Sequence, residues 1–158
     1  MIKKMSCIRA SMDLITMEEN MENKSVTIET IINKTIDEVW EKWTVPQHIM
    51  EWSHASDDWY TPSAENDLRV GGRFNSKMAA RDGSYSFDFG GVYDEVIFNK
   101  KIAYTMDDGR KVVIEFAEMD EGIKVIQTFD AEEENSLEMQ RFGWQSILDN
   151  FKRYVEIK

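Results

Sequence analysis

The chain has few features that would cross-link it covalently or hold it in a bilayer. Its 158 residues contain a single cysteine, Cys7, so no intramolecular disulfide can form, which is typical of proteins from reducing compartments. No stretch approaches the ~18 consecutive apolar residues that a membrane-spanning helix needs. The N-terminus carries Lys3 and Lys4, but Arg9 and Asp13 interrupt any apolar core of a signal peptide. We therefore predict a cytoplasmic protein.

Positive charge is also scarce. The chain has 19 Lys and Arg against 30 Asp and Glu, a formal net charge of −11. Binding to phosphate requires clustered basic side chains, so this composition disfavours nucleic acid and anionic membranes as partners. The glycine pairs Gly71-Gly72 and Gly90-Gly91 lie at predicted strand ends with no helix after them, so neither forms a phosphate-binding loop.

No catalytic or metal-binding constellation stands out. His48, Glu51 and His54 come nearest to a metal cluster, but their spacing differs from that of zinc-binding helices and no cysteine joins them. We interpret them as exposed polar residues after a short helix and predict no metal and no cofactor. Cys7 has no neighbouring histidine in sequence, so we predict no nucleophile there.

Aromatic residues are abundant, with five Trp, five Tyr and eight Phe. Residues 136–158 predict one long helix, because apolar side chains recur at helical spacing, namely Leu137, Trp144, Ile147, Leu148, Phe151, Tyr154 and Val155, with Phe142 near the start. Such a stripe must be buried against another layer. Gly143 costs the helix ~1 kcal/mol relative to alanine, and we expect it to allow a close approach to the sheet or to a ligand.

The rest of the chain predicts mainly strands, at residues 26–32, 73–80, 85–98, 101–106, 110–119 and 123–129. Thr35 and Glu38 form a capping box that begins one helix, and Pro46 begins a second, shorter one. Residues 53–67 predict a loop, or a ragged strand near residues 58–61. We expect Gly90-Gly91 to form a bulge that bends its strand. Residues 1–22 predict a disordered tail, and residues 23–158 a single domain.

Six short segments carry a family resemblance, at residues 35–40, 46–52, 71–74, 91–96 and 102–105 and in Gly143-Trp144 with Leu148, Phe151 and Tyr154. In this order they resemble the START-like, or Bet v 1-like (SRPBCC), superfamily. The resemblance covers about residues 24–157 and is specific to the branch similar to the C-terminal domain of activators of the Hsp90 ATPase. It implies an α+β helix-grip fold, in which a curved antiparallel sheet of six or seven strands packs around a long C-terminal helix and two short helices follow the first strand.

The same resemblance implies an apolar cavity between the sheet and the C-terminal helix. Members of the superfamily bind lipids, polyketides and flavonoid-like molecules, so the implied function is non-enzymatic binding or carriage of a small apolar or amphipathic ligand. Aromatic and apolar side chains would form the binding site. The candidates are Trp52, Phe74, Phe87, Phe89, Tyr93, Tyr104, Phe116, Trp144, Leu148 and Phe151, and Tyr85 belongs to the same aromatic set.

Two alternatives stay open. A polyketide cyclase-like enzyme would need a buried ionisable group that solvent can reach. Asp94 and Glu95 point to opposite faces of their strand, so one of them faces inward, where Arg73, Arg110 or Arg141 could pair with it. A module that docks on the Hsp90 chaperone would instead need an exposed apolar patch.

Overall fold

The computed structural model describes residues 24–157. Their elements, in chain order, are β1 (Ser25–Ile32), α1 (Ile36–Thr44), α2 (Pro46–Trp52), β2 (Trp59–Asn66), β3 (Arg73–Ala80), β4 (Ser86–Ile97), β5 (Lys101–Met106), β6 (Lys111–Met119), β7 (Gly122–Asp130) and α3 (Leu137–Ile157). The predicted tail, with Cys7, lies outside the described residues. Within them, no helix combines the length and the apolar character needed to cross a membrane.

The seven strands form one antiparallel sheet in the order β1-β7-β6-β5-β4-β3-β2. Consecutive strands from β2 to β7 are neighbours, and β1 closes the row by pairing with β7 along its whole length, from Ser25 opposite Asp130 to Ile32 opposite Ile123. The sheet curls into a half-barrel, and α3 lies in its concave face. This is the predicted α+β helix-grip architecture, with two short helices after the first strand, and the prediction is confirmed.

Local sequence signals begin the two short helices as expected. The Thr35 hydroxyl accepts from the Glu38 amide at 3.2 Å, and the Glu38 carboxylate accepts from the Thr35 amide at 3.3 Å, so the capping box is present. Pro46 occupies the first turn of α2, where its missing N–H costs no helical hydrogen bond. Both short helices therefore begin where the sequence places them.

Helix α3 runs along the free edge of β1. An edge strand presents unpaired carbonyl and amide groups, and polar side chains of α3 pair with successive ones. The contacts are Arg141 Nη1 to Thr27 O at 2.8 Å, Gln145 Nε2 to Glu29 O at 3.3 Å, Lys152 Nζ to Ile31 O, and the Asn33 amide to Glu156 Oε2 at 2.9 Å. These bonds position the helix and protect the edge of the sheet.

The opposite flank of α3 is bonded to α2. His48 Nδ1 lies 2.6 Å from the Tyr154 hydroxyl, and Asn150 Nδ2 donates to Trp52 O at 2.9 Å and lies 3.1 Å from His54 Nε2. Both histidines are half-buried, so our interpretation of them as exposed polar residues is wrong. Burial lowers the pKa of His54, and the nearby Arg81 adds to the shift.

Strand β2 lies in the segment 53–67, for which we predicted a loop or a ragged strand near residues 58–61, and it extends beyond that short strand to Asn66. It is a full strand of eight residues, paired with β3 and shifted in register between Tyr60 and Ser63. Pro62 lies inside that shift, on the edge strand of the sheet, which is where proline is tolerated. The polar composition of the segment thus reflects its edge position.

The glycine pair in β4 does not form the predicted bulge. The register shift between β4 and β5 lies between Tyr93 and Glu95 instead. A Cβ atom on Gly91 would lie 2.5 Å from Thr105 O and 3.1 Å from Phe74 Cε1. The pair therefore allows a neighbouring strand and an aromatic ring to approach closely while the strand continues.

The first turns of α3 are less buried than the apolar stripe predicts. Leu148, Phe151 and Val155 are at most 1% exposed, whereas Leu137 is 36% and Phe142 75% exposed. A Cβ atom on Gly143 would have nothing within 4 Å, so the expected close approach at this glycine is wrong. The stripe is buried along the C-terminal half of the helix, where α1 and α2 cover it.

Replacing Gly143 with alanine should raise the free energy of unfolding by about 0.5–1 kcal/mol, because the methyl group meets open space and alanine loses less backbone entropy in a helix. Urea unfolding of the Gly143→Ala variant measures the change. Gly71→Ala is the matched control: it also has open space, but its φ is +84°, so it should destabilise by about 1–2 kcal/mol. A destabilised Gly143→Ala variant would show that the glycine has a packing role after all.

Candidate functional site

A cavity of about 490 Å³ lies between the sheet and α3. Strands β3, β4 and β5 form one wall, Trp144, Ile147 and Leu148 of α3 form the facing wall, and Trp43 and Trp52 of the short helices close one end.

Eight of the ten predicted site residues line this cavity, namely Trp52, Phe74, Phe87, Phe89, Tyr93, Tyr104, Trp144 and Leu148. They come together because the inward-facing positions of β3, β4 and β5 are in register, as in the pairs Tyr93 with Tyr104 and Gly91 with Phe74 and Met106. Alternation along a strand then sends every second side chain to the concave face. Tyr85 does not line the cavity and is 62% exposed.

Phe116 and Phe151 lie outside the cavity wall, which corrects their predicted placement. Phe151 is fully buried, with its ring centroid 4.8 Å from that of Trp43 and 4.7 Å from that of Trp52. Phe116 packs edge-on against Trp40 at 5.4 Å and against Trp43. Both face inward as predicted, but the tryptophans of α1 and α2 fill that end of the interior.

The aromatic walls are held by contacts among the rings themselves. Phe74 meets Tyr104 edge-on at 4.6 Å, and Phe89 meets Trp144 edge-on at 6.2 Å. Trp144 also stacks on Phe129, with centroids 4.1 Å apart and planes 9° apart. Edge-to-face and stacked pairs add about 0.5–1.5 kcal/mol each beyond the area they bury, so these contacts stabilise the wall.

Sequence reasoning missed several lining residues. The apolar ones are Trp43, Ile49, Met78, Met106 and Ile147, and the polar ones include Ser53, Asn66, Ser76, Arg110 and Gln127. Period-two alternation could have identified Gln127, because it shares the inward row of β7 with Ile123, Val125 and Phe129. Nothing local marks Ser53, which reaches the cavity from the end of α2.

Carboxylates occur at the rim of the cavity. The lining carboxylates Glu65, Asp88, Asp107 and Asp108 are all exposed. Three of them are paired: Arg73 donates both terminal nitrogens to Asp107 at 2.8 and 2.7 Å, Arg110 Nε donates to Asp108 at 2.8 Å, and Lys77 Nζ lies 3.7 Å from Asp88 Oδ1. The charged groups of the lining therefore stay in contact with water.

Asp94 and Glu95 do not supply the inward carboxylate that we expected. Asp94 accepts from the Thr105 hydroxyl at 2.7 Å, and Glu95 pairs with Lys101 at 3.1 Å. The register shift between Tyr93 and Glu95 falls at this point of β4, and neither carboxylate lines the cavity. That prediction is wrong.

The ionisable groups deep in the cavity are two phenols. Tyr93 donates to Asn66 Oδ1 at 2.5 Å, and Asn66 in turn donates to Thr44 O at 2.6 Å. Burial raises the pKa of both Tyr93 and Tyr104 above the ordinary value of a phenol, and Arg110 opposes the rise at Tyr104. Both phenols are therefore neutral hydrogen-bonding groups at physiological pH.

Comparisons with known proteins place this geometry in a family. The model of the family described as Activator of Hsp90 ATPase homolog 1-like protein matches residues 33–156. The solution structure of the AHSA1-like protein from Aeromonas hydrophila is 46% identical in sequence, with a TM-score of 0.81, over 85% of this chain and 93% of that one. A solution structure from Cytophaga hutchinsonii is 49% identical, with a TM-score of 0.75, over 84% and 92% of the two chains.

More distant structures share the fold alone. A crystal structure from Nitrosomonas europaea is 19% identical, with a TM-score of 0.75, over 88% of this chain and 97% of that one. No curated protein matches the chain.

Alkaline titration tests the buried phenols. Because the folded protein holds the Tyr93 and Tyr104 protons more tightly than the unfolded chain, the free energy of unfolding should be unaffected by them below about pH 10 and should fall as pH rises above it. Urea unfolding at neutral and alkaline pH measures this change. Tyr104→Phe should reduce the alkaline loss, and an unchanged loss in that variant would show that the Tyr104 phenol ionises freely in the folded state.

Proposed function

The chain belongs to the Activator of Hsp90 ATPase homolog 1-like family, and from that premise we propose that it binds or carries a small apolar or amphipathic ligand without catalysing a reaction. The observation that carries the proposal is the cavity of about 490 Å³ between the sheet and α3. Ligand sites in proteins typically enclose about 300–1,000 Å³ and combine apolar walls with a few polar groups. This cavity has both properties. We propose the cytoplasm as its compartment, because the chain has a single cysteine.

The walls favour an apolar ligand body. Trp43, Trp52, Phe74, Phe89 and Trp144 all present ring surface to the cavity. Burial of apolar surface yields roughly 25 cal/mol per Å², and rigid rings lose little conformational entropy when a ligand enters. Binding energy would therefore come mainly from contact with the rings.

The lining favours carriage over cyclase-like catalysis. General acid–base chemistry needs a carboxylate or histidine within reach of the bound substrate and with a pKa suited to the task. Among the lining residues that the structure describes, every carboxylate is exposed at the rim, and the interior offers phenols, hydroxyls and carboxamides. Such groups orient a ligand by hydrogen bonding.

One surface feature supports a second function, docking on Hsp90. Three large apolar side chains at the start of α3 are exposed: Leu137 at 36%, Met139 at 63% and Phe142 at 75%. The family description names the Hsp90 ATPase, and exposed apolar groups of this kind serve protein contacts.

The docking alternative makes its own prediction. Purified Hsp90 from the same organism should bind the full chain, and a Met139→Ser, Phe142→Ser variant should bind it at least about tenfold more weakly, because two apolar contacts are lost. Surface plasmon resonance measures both affinities. No binding of the unmodified chain would rule the docking function out and leave ligand binding untouched.

Filling the cavity tests ligand binding. Ser76 lines it from β3, so a Ser76→Phe side chain should occupy the space that a ligand needs and abolish binding. The measurement is NMR titration of the unmodified protein and the variant with a panel of fatty acids, flavones and polyketide-like aromatics, following the amide signals of Phe87, Tyr104 and Trp144.

Lys77→Phe is the matched control. Lys77 is the next residue of β3, exposed on the opposite face of the sheet, so this variant should bind like the unmodified protein. The proposal fails if no member of the panel shifts these signals. It also fails if Ser76→Phe binds as well as Lys77→Phe does.

A further inference from the structure

The buried polar side chains divide into two groups according to their position. Those away from the cavity are hydrogen-bonded: Thr44 donates to Trp40 O at 2.8 Å, Thr61 to Ser53 O at 2.7 Å, and Gln140 to Asn135 O at 2.8 Å. The others, Ser53, Ser76 and Gln127, all line the cavity. Among the residues that the structure describes, no side-chain hydrogen-bond partner exists for any of these three.

Gln127 is the largest of the three, and its carboxamide can both donate and accept hydrogen bonds. Its cross-strand neighbours are Ile28 and Ile114, and its neighbours along the inward row of β7 are Val125 and Phe129. The residue is 6% exposed, and none of these four neighbours has a polar side chain. The cavity that Gln127 lines is therefore where its carboxamide can find a partner.

The contrast with Gln140 shows what a buried glutamine needs in this protein. Gln140 is 7% exposed, accepts from the Glu132 amide at 2.9 Å and donates to Glu132 O at 3.0 Å, besides its bond to Asn135. An unpaired buried carboxamide is a net cost to the folded state. At Gln127 that cost is offset if the contents of the cavity, water or ligand, supply the missing bonds.

The positions of the unpartnered groups indicate the shape of a matching ligand. Gln127 lies on β7 and Ser76 on β3, with β6, β5 and β4 between them, so they approach the cavity from opposite sides of the curled sheet. The Tyr104 hydroxyl, on the intervening β5, also has no partner among the described residues. A ligand that pairs with these groups has an apolar body and polar atoms toward its ends.

The charge of the lining indicates an uncharged ligand. Burial of a charge requires an opposite charge beside it, and the lining has no deeply buried ion: Arg110 is half-buried and pairs with Asp108, while the carboxylates are exposed. Glu65 at the rim, in a chain with net charge −11, would repel an anion.

We propose, resting on the ligand-binding function above, that the ligand is an uncharged apolar molecule carrying hydroxyl or carbonyl groups, and that the Gln127 carboxamide holds one of these groups and selects for it. Gln127 both donates and accepts, so it pairs with either group. A purely apolar ligand of the same size leaves the carboxamide unpaired and binds more weakly.

Three flavones test this proposal: 6-hydroxyflavone, 6-methylflavone, which replaces the hydroxyl with a methyl group, and the anionic flavone-6-carboxylate. Quenching of tryptophan emission reports binding, because Trp43, Trp52 and Trp144 line the cavity. The full chain should bind the hydroxyl compound about tenfold more tightly than the methyl compound, as one buried hydrogen bond implies. It should bind the carboxylate most weakly of the three.

Gln127→Met keeps the length of the side chain and removes its polar atoms. The variant should lose the preference for the hydroxyl compound and bind the methyl compound at least as tightly as the unmodified protein does. Its melting temperature without ligand should be unchanged or higher, since an unpaired polar group is gone; a structural role for Gln127 would lower it. Thr128→Val, on the opposite face of β7, is the control and should keep the preference.

The outcomes separate this inference from the proposed function. Equal affinity for the hydroxyl and methyl compounds, or a preference that persists in Gln127→Met, overturns the role of Gln127 while ligand binding stands. If flavone-6-carboxylate binds most tightly of the three, the proposal that the ligand is uncharged is wrong. Failure of all three flavones to bind overturns the inference, and the cavity-filling variant then decides whether the cavity binds any ligand.

Discussion

The structure depends on how α3 is held over the curled sheet. Along one flank, Arg141, Gln145 and Lys152 bond to successive free carbonyls of β1, and along the other, Tyr154 and Asn150 bond to α2. These bonds set the distance between α3 and the sheet, whatever the number of side chains that fill the space between them. A helix held only by apolar packing would be free to settle until that space closed.

The cavity stays open because the two halves of α3 pack against different residues. Under the C-terminal half, tryptophans of α1 and α2 close around Phe151 and leave no room. Under the N-terminal half, Trp144 is held by stacking on Phe129, and the facing rings of β3, β4 and β5 brace one another edge-on. Collapse of this half would also press Ser76 and Gln127 against apolar neighbours and leave no space for a hydrogen-bond partner, which is unfavourable for buried polar groups.

Much of the fold could be predicted from short-range patterns. The capping box at Thr35, the start of α2 at Pro46 and the limits of β3 all follow from neighbouring residues. The wrong predictions share a cause. In each of them, the local structure depends on residues that are distant in sequence. The length of β2 depends on its pairing with β3. The role of Gly91 depends on the nearby Phe74 and Thr105. The exposure of Phe142 depends on the fact that α1 and α2 cover only the C-terminal half of α3.

The sequence by itself determined most of the element types and most of the inward-facing aromatic residues, because periodicity and capping are local properties of the chain. Its resemblance to known proteins indicated the family. The sequence therefore identified eight of the residues that line the cavity. Only the tertiary structure decided which inward side chains meet open space and which meet one another, as Phe74 and Phe116 show. That distinction depends on the distance between two layers, and polar bonds between residues far apart in sequence set that distance.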